Sequence, residues 1–196
     1  QPLVLMVPNH PADSAFGGRE LVMDSELYID QADFREEANK QFKRLVLGKR
    51  VRLRGGLVIE GESCEKDADG NIVHVLARCV TSVPGTDPED GVKPKGVIQW
   101  VSAEHGLPAT IRCYDRLFAV PEPGRGDDTL AALNPQSLEL VAGAMVEPGL
   151  REAEPEQAFQ FEREGYFVAD RYDHTSENPV FNMTIGLRDT WSATNA

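Results

Sequence analysis

Seven of the twenty Lys and Arg residues lie between Lys40 and Arg54, a window of fifteen positions that contains no acid. The chain around them is acidic, with a net charge of −12 over 196 residues. On a helix, Lys40, Lys43 and Arg44 would share one face at spacing i, i+3, i+4. On a strand, Arg50, Arg52 and Arg54 would share one side, with Val51 and Leu53 on the other. Like charges this close repel by roughly a few tenths of a kcal/mol per helical pair, so a surface that tolerates them suits an anion. Arginine favours phosphate and base edges because its planar donors engage two acceptors at once. Gln41 and Gln160 each offer a donor and an acceptor, as reading a base edge requires. An RNA loop with splayed bases fits better than an A-form duplex, whose major-groove edges are hidden. The chemistry on offer is therefore polyanion recognition, with single-stranded RNA foremost. Two blander readings compete with it. Bases near a helix C-terminus complement its dipole, and a basic patch can meet an acidic protein partner.

Bond-breaking chemistry finds less support. His10, His74, His105 and His174 are scattered, and no pair has metal-ligand spacing. Cys64, Cys79 and Cys113 are odd in number and lack a C-x-x-C pair, so they read as reduced thiols. Asp127-Asp128 reads as part of a solvated loop or a helix start, "PGRGDD" is too short for a phosphate cradle, and no nucleophile–base constellation stands out. The acidic balance argues against general, charge-driven nucleic-acid binding, so recognition must rest on a local patch. No run approaches the ~20 apolar residues of a membrane span, and no signal peptide opens the chain. It begins at Gln1 in an extended-looking run, "QPLVLMV", and reads as a piece of a longer protein.

The elements that must position these residues are mostly strands. "PNHPADSAFGGR" is rich in turn formers and reads as a loop, and "ELYID" alternates as a half-buried strand does. "QADFREEANKQFKRLVLG" carries acids first, bases last and Gly48 at its stop, which predicts one prominent helix from about Gln31 to Leu45, capped by Asp30. The period then changes to two at "KRVRLR". "GLVIEGESC", a turn at Asp69-Gly70 and "IVHVLARCV" predict a hairpin. Further strands are expected in "GVIQWV", "ATIRCYDRLFAV", "SLELVAGAMV", "FQFEREGYFVAD" and "PVFNMTIGLRDTW". Thirteen prolines, seventeen glycines and short, closely spaced strands predict a mainly β protein, with two barrels fitting the length better than one. In "FQFEREGYF", Phe159 and Phe161 read as core residues. Strand alternation sets Gln160 opposite Arg163 unless the strand twists or bulges near Gly165.

The stretch "YIDQADFREEANKQFKRLVLGKRVRLR" closely resembles the C-terminal anticodon-binding region of bacterial-type glutaminyl-tRNA synthetases. "PNHP", "KGVIQWVSAEHGLPATIRCYDRLF", "FQFEREGYF" and "FNMTIGLRDTW" resemble it as well, in order along the whole chain. The resemblance implies two antiparallel β-barrels of ribosomal-protein type that grip the anticodon loop. A proximal barrel would come from residues 1–38 plus 120–196, and a distal barrel would be inserted as 39–119. Carried over by position, Lys43 and Arg44 correspond to contacts with the third anticodon base. Gln41 and Gln160 correspond to contacts with the middle base, with Pro11 packing nearby. Arg52 and Arg54 fall in the wobble-base region, and Arg163 is another loop contact. Ala12 stands where the family commonly has asparagine, and Gly55-Gly56 replaces bulkier residues.

The resemblance implies a cytoplasmic, monomeric parent enzyme that joins glutamine to tRNA with ATP and Mg²⁺. The HIGH-like and KMSKS-like nucleotide motifs do not occur in these residues. The chain is accordingly expected to bind tRNA, with no cofactor of its own, while an N-terminal catalytic domain does the chemistry. The same region of a glutamyl-tRNA synthetase, or a ribosomal-type RNA-binding barrel, are the alternatives.

Overall fold

Leu5 and Val7 are buried while Val4 and Met6, which alternate with them, face outward, a period of two that makes β1 (Leu3–Pro8) a strand. β2 (Gly18–Met23) pairs with it antiparallel, from Leu3↔Met23 to Pro8↔Gly18. The loop between them contains His10, whose Nδ1 accepts the Asp13 amide at 3.0 Å while its ring stacks on Phe16. This computed structural model describes residues 2–125 and 128–187. They group into two compact units, Gln1–Gly106 and Leu107–Ala196.

In the first unit "ELYID" forms only a short strand, β3 (Leu27–Tyr28), paired with Val101–Ser102. The helix expected from Gln31 to Leu45 is not there. A single 3-10 turn, Gln31–Asp33, leads into β4 (Phe34–Arg35), and the chain then wanders to β5 (Leu45–Val46). Charge order had favoured a helix, but two stronger demands win. Phe34 and Leu45 are both buried and pair directly in a parallel ladder, whereas a helix would hold residues 33 and 44 ~16 Å apart. Asn39 also accepts the Gln41 amide at 3.0 Å, the local bond by which asparagine favours turns over helix interiors. Asp30 makes no side-chain cap bond.

β6 (Arg50–Leu53) follows its sequence pattern, with Val51 and Leu53 fully buried and Arg50 and Arg52 half-buried on the other side. β7 (Val58–Lys66) and β8 (Ile72–Cys79) form the expected hairpin. Its turn holds Gly70 at φ +86°, and the Asp67 carboxylate accepts the Asp69 and Asn71 amides. β9 (Val97–Ile98) completes a four-stranded sheet in the order β8-β7-β6-β9, and β10 (Val101–Ser102) follows at once. Leu5, Leu21, Met23, Phe34, Leu45, Val51, Leu53, Ile98 and Trp100 make one core. Gly55 turns the chain after β6 at φ +67°, where a Cβ would stand 2.5 Å from Val7 Cγ1, so this glycine is required by its own turn.

The second unit is a five-stranded sheet built from β11 (Leu107–Tyr114), β12 (Leu138–Val146), β13 (Ala158–Phe161), β14 (Gly165–Ala169) and β15 (Val180–Gly186). The order is β12-β11-β15-β14-β13, with β11 and β15 parallel and the other pairs antiparallel. Phe159 and Phe161 pack on the core of this sheet, as expected. Phe161 stacks on Phe167 at 4.3 Å, and Phe159 and Phe161 each meet Phe181 edge-on. The described residues are mainly β, and none of their sheets closes on itself. Asp127 and the Arg188–Trp191 end of the last predicted strand lie outside the described residues.

Candidate nucleic-acid interface

The basic window folds as a strap followed by a strand. The strap runs from Glu36 to Arg44 without regular structure, and two features fix its end. Arg44 donates to Asp33, whose carboxylate is 1% exposed, and the pair spans eleven residues. The backbone at Lys43 also lies so close to Gly96 that a Cβ there would stand 2.0 Å from the Lys43 carbonyl oxygen. Gly96 in turn accepts the Arg52 amide at 2.9 Å, which ties the strap to the arginine strand. Gly96→Ala is thus expected to push the strap off β6 and cost about 1–3 kcal/mol, the usual penalty of overpacking. A fall in urea midpoint would check it.

Gln41 and Lys43 are exposed on this strap, and Arg44 is half-buried. Arg52 is half-buried on β6, and Arg54 is exposed in the turn that follows, where its carbonyl accepts Trp100 Nε1 at 2.9 Å. These five residues belong to the first unit, joined through Gly96 and the β6–β9 ladder. Pro11 belongs to the same unit, exposed in the β1–β2 loop. Gln160 and Arg163 belong to the second. Gln160 is exposed on β13, opposite the buried phenylalanine face. Arg163 is not on a strand at all: it sits in the Glu162–Glu164 turn at φ +67°, so strand alternation does not relate it to Gln160.

The arginine row is less bare than its local sequence suggests. Arg50 donates from Nε to Glu60 at 2.7 Å, and from Nη1 and Nη2 to both oxygens of Asp90 at 2.6 and 2.7 Å. Its bonds hold Asp90 down at about 2, helped by the Val92 amide, and lower Glu60 as well. Arg52 donates to the Thr86 carbonyl at 2.8 Å and to Asp87 at 2.7 Å. The sequence reading missed Asp87 and Asp90 because they arrive from a loop 35 and 40 positions away, and Glu60 because it comes from the neighbouring strand β7. The only signal was the acid cluster in "TDPEDG" itself.

Among the described residues, one group could share a cation: the ligand atoms of Asp24, Glu104 and His105 lie within 4.8 Å of one another. Asp24 already accepts the Ser102 hydroxyl at 2.6 Å, and Ser102 accepts the His105 amide at 2.9 Å, so the group reads as a hydrogen-bonded corner. His74 is exposed on β8, and His174 is buried between the Val180 and Ala153 backbones. Cys64 and Cys113 are half-buried and Cys79 is exposed. Burial pushes the Cys113 thiol up, away from a nucleophilic form. No helix among the described residues is long and apolar enough to cross a membrane.

Residues 1–80 and 97–170 each match the family described as "tRNA synthetases class I (E and Q), anti-codon binding domain". This chain belongs to that family. A Glutamine--tRNA ligase from Tolumonas auensis is 56% identical over 187 residues, 95% of this chain and 34% of the relative. Ligases of the same name from Serratia proteamaculans and Escherichia coli are each 54% identical, over 98% and 96% of this chain and 35% and 34% of their own length. The chain therefore spans about a third of the length of these class I relatives.

Proposed function

We propose that this chain is the anticodon-reading portion of a glutamine–tRNA ligase. It holds the anticodon loop so that the parent enzyme, which uses ATP and Mg²⁺ to join glutamine to tRNA, accepts its cognate tRNA. The observation that carries this is the strap. Gln41 and Lys43 stand in solvent on an irregular segment that Asp33, Arg44 and Gly96 fix in place beside the arginine strand. A rigid set of donors reads a base edge with little loss of entropy on binding. Lys43 and Arg44 take the third anticodon base, and Gln41 and Gln160 take the middle base beside Pro11. Arg52 and Arg54 take the wobble base, and Arg163 takes the loop. Two barrels, with residues 39–119 inserted between the parts of the other, belong to the same proposal, as do a monomeric state and a cytoplasmic setting. The relatives' shared name favours glutamine over glutamate within the family.

Lys43 is a cleaner probe than Arg44, because its side chain is exposed and its loss does not break the buried ion pair with Asp33. In filter binding with the full-length protein, Lys43→Ala is expected to weaken glutamine tRNA about 5- to 100-fold, the span of one good base-edge contact. The same tRNA with its third anticodon base changed should lose far less. Equal losses on both RNAs would make Lys43 a phosphate contact. A wild-type protein indifferent to every anticodon change would overturn the proposed function.

A further inference from the structure

Arg50 and Arg52 stand on one side of β6, but the loop between β8 and β9 treats them differently. That loop contains Asp87, Glu89 and Asp90, with Pro88 buried between the first two. Arg50 is 11% exposed and is closed in by Glu60, both oxygens of Asp90 and the Val92 carbonyl. Its donors are committed to building the loop. Arg52 is held more lightly. Nη1 donates to the Thr86 carbonyl and Nη2 to Asp87 Oδ1, and Asp87 is the one carboxylate on it among the described residues. Asp87 is half exposed, and its second oxygen lies 3.4 Å from Lys93 Nζ.

A guanidinium carries five N–H donors in one plane. Two bonds, from Nη1 to a carbonyl and from Nη2 to a carboxylate, fix that plane and use two of the five donors. The carboxylate also offsets part of the positive charge that Arg52 and Lys93 would present to a passing phosphate. Such a residue favours a ligand with acceptors in the right plane over one that offers only negative charge.

We infer that Asp87 is a positioning residue for RNA recognition: it orients Arg52 toward a base edge and screens it from indiscriminate phosphate binding. The inference rests on the anticodon-reading proposal above, and the wobble-base region is where it applies. Asp90 supplies the control. Neutralising it changes net charge by the same amount but touches Arg50, which Glu60 still holds.

The experiment is filter binding of full-length wild type, Asp87→Asn and Asp90→Asn. Each is titrated across a salt series with glutamine tRNA, the same tRNA changed at its first anticodon base, and a single-stranded oligouridine. For Asp87→Asn, oligouridine affinity should rise about 2- to 5-fold, and its log–log salt slope should steepen by ~0.7, one further phosphate contact. Preference for the correct first base should fall about 5- to 10-fold. Asp90→Asn should keep that preference. Urea midpoints near wild type for both variants would show that the fold is intact. Asp87→Asn retaining wild-type base preference would overturn the inference, as would both variants losing it equally, since the loop rather than the Asp87–Arg52 pair would then be responsible. A wild type with no anticodon preference would instead take down the anticodon-reading proposal, and this inference with it.

Discussion

Asp33→Ala is expected to destabilise the protein by about 3–5 kcal/mol, the range for removing one partner of a buried ion pair. The carboxylate is 1% exposed, and the Arg44 guanidinium that meets it is largely enclosed, so the truncation removes a buried charge that faces a largely enclosed cation. The urea midpoint should drop with little change in slope, because the surface exposed on unfolding is nearly the same. RNA binding should fall at the same time, since the tether that aims Lys43 and Gln41 is gone. Arg44→Leu combined with Asp33→Leu provides the decisive comparison. If the apolar pair restores stability, the ion pair serves packing, and the RNA affinity still missing reports the lost Arg44 base contact together with the lost tether. If both recover, the pair only fills space and Arg44 makes no base contact.

The second large effect is expected in the other unit. Asp170 accepts the Asn182 amide at 2.7 Å, Arg112 at 2.9 Å, and the backbone amides of Tyr172 and Asp173 at 2.9 Å each. The Asn182 bond first, then the Asp173 and Tyr172 amides and the nearby Arg112 charge, hold this carboxyl down at about 2. A depressed carboxyl stabilises the fold above the unfolded value near 3.9 and loses that contribution as pH falls through its folded value. The window is therefore roughly pH 4 to 2, and the shift corresponds to roughly 2 kcal/mol. Asp170→Ala should cost about 3 kcal/mol or more at neutral pH, because four donors lose their acceptor together. Thermal melts from pH 7 to 2 should show wild type losing stability over that window, with the Asp170→Asn curve flatter. Parallel curves would show that Asp170 does not titrate with folding.

The parts of this molecule that were legible in its sequence are those governed by short-range periodicity. Val51 and Leu53 lie under Arg50 and Arg52 because the side-chain period of a strand admits no other arrangement. The Asp69-Gly70 turn, and the core side of Phe159 and Phe161, follow equally local rules. β2 went unassigned: its first two residues fall in the loop-like stretch that ends at Arg19, and the short alternation of Leu21 and Met23 that follows was too brief to read as a strand. The supposed helix failed because its strongest constraint was not local. Phe34 pairs with Leu45, and Asp33 reaches Arg44, only once the strap has folded back. The candidate site shows the same division. The sequence makes the cluster of positive charge plain, but Asp87 and Asp90 come from distant positions, and Asp33, though only eleven positions from Arg44, meets it only because the strap is not a helix.

β15 occupies the middle of its sheet although it is the last of the described strands to be synthesised. Before Val180 to Gly186 leave the ribosome, the nascent chain holds two separate hairpins, each with an unsatisfied inner edge. Those edges invite pairing with other chains. They join only through a parallel match that bridges some seventy positions, from Thr110 to Val180, a slow, long-range closure. Translation that stalls short of this strand thus yields aggregation-prone half-sheets rather than a smaller working module.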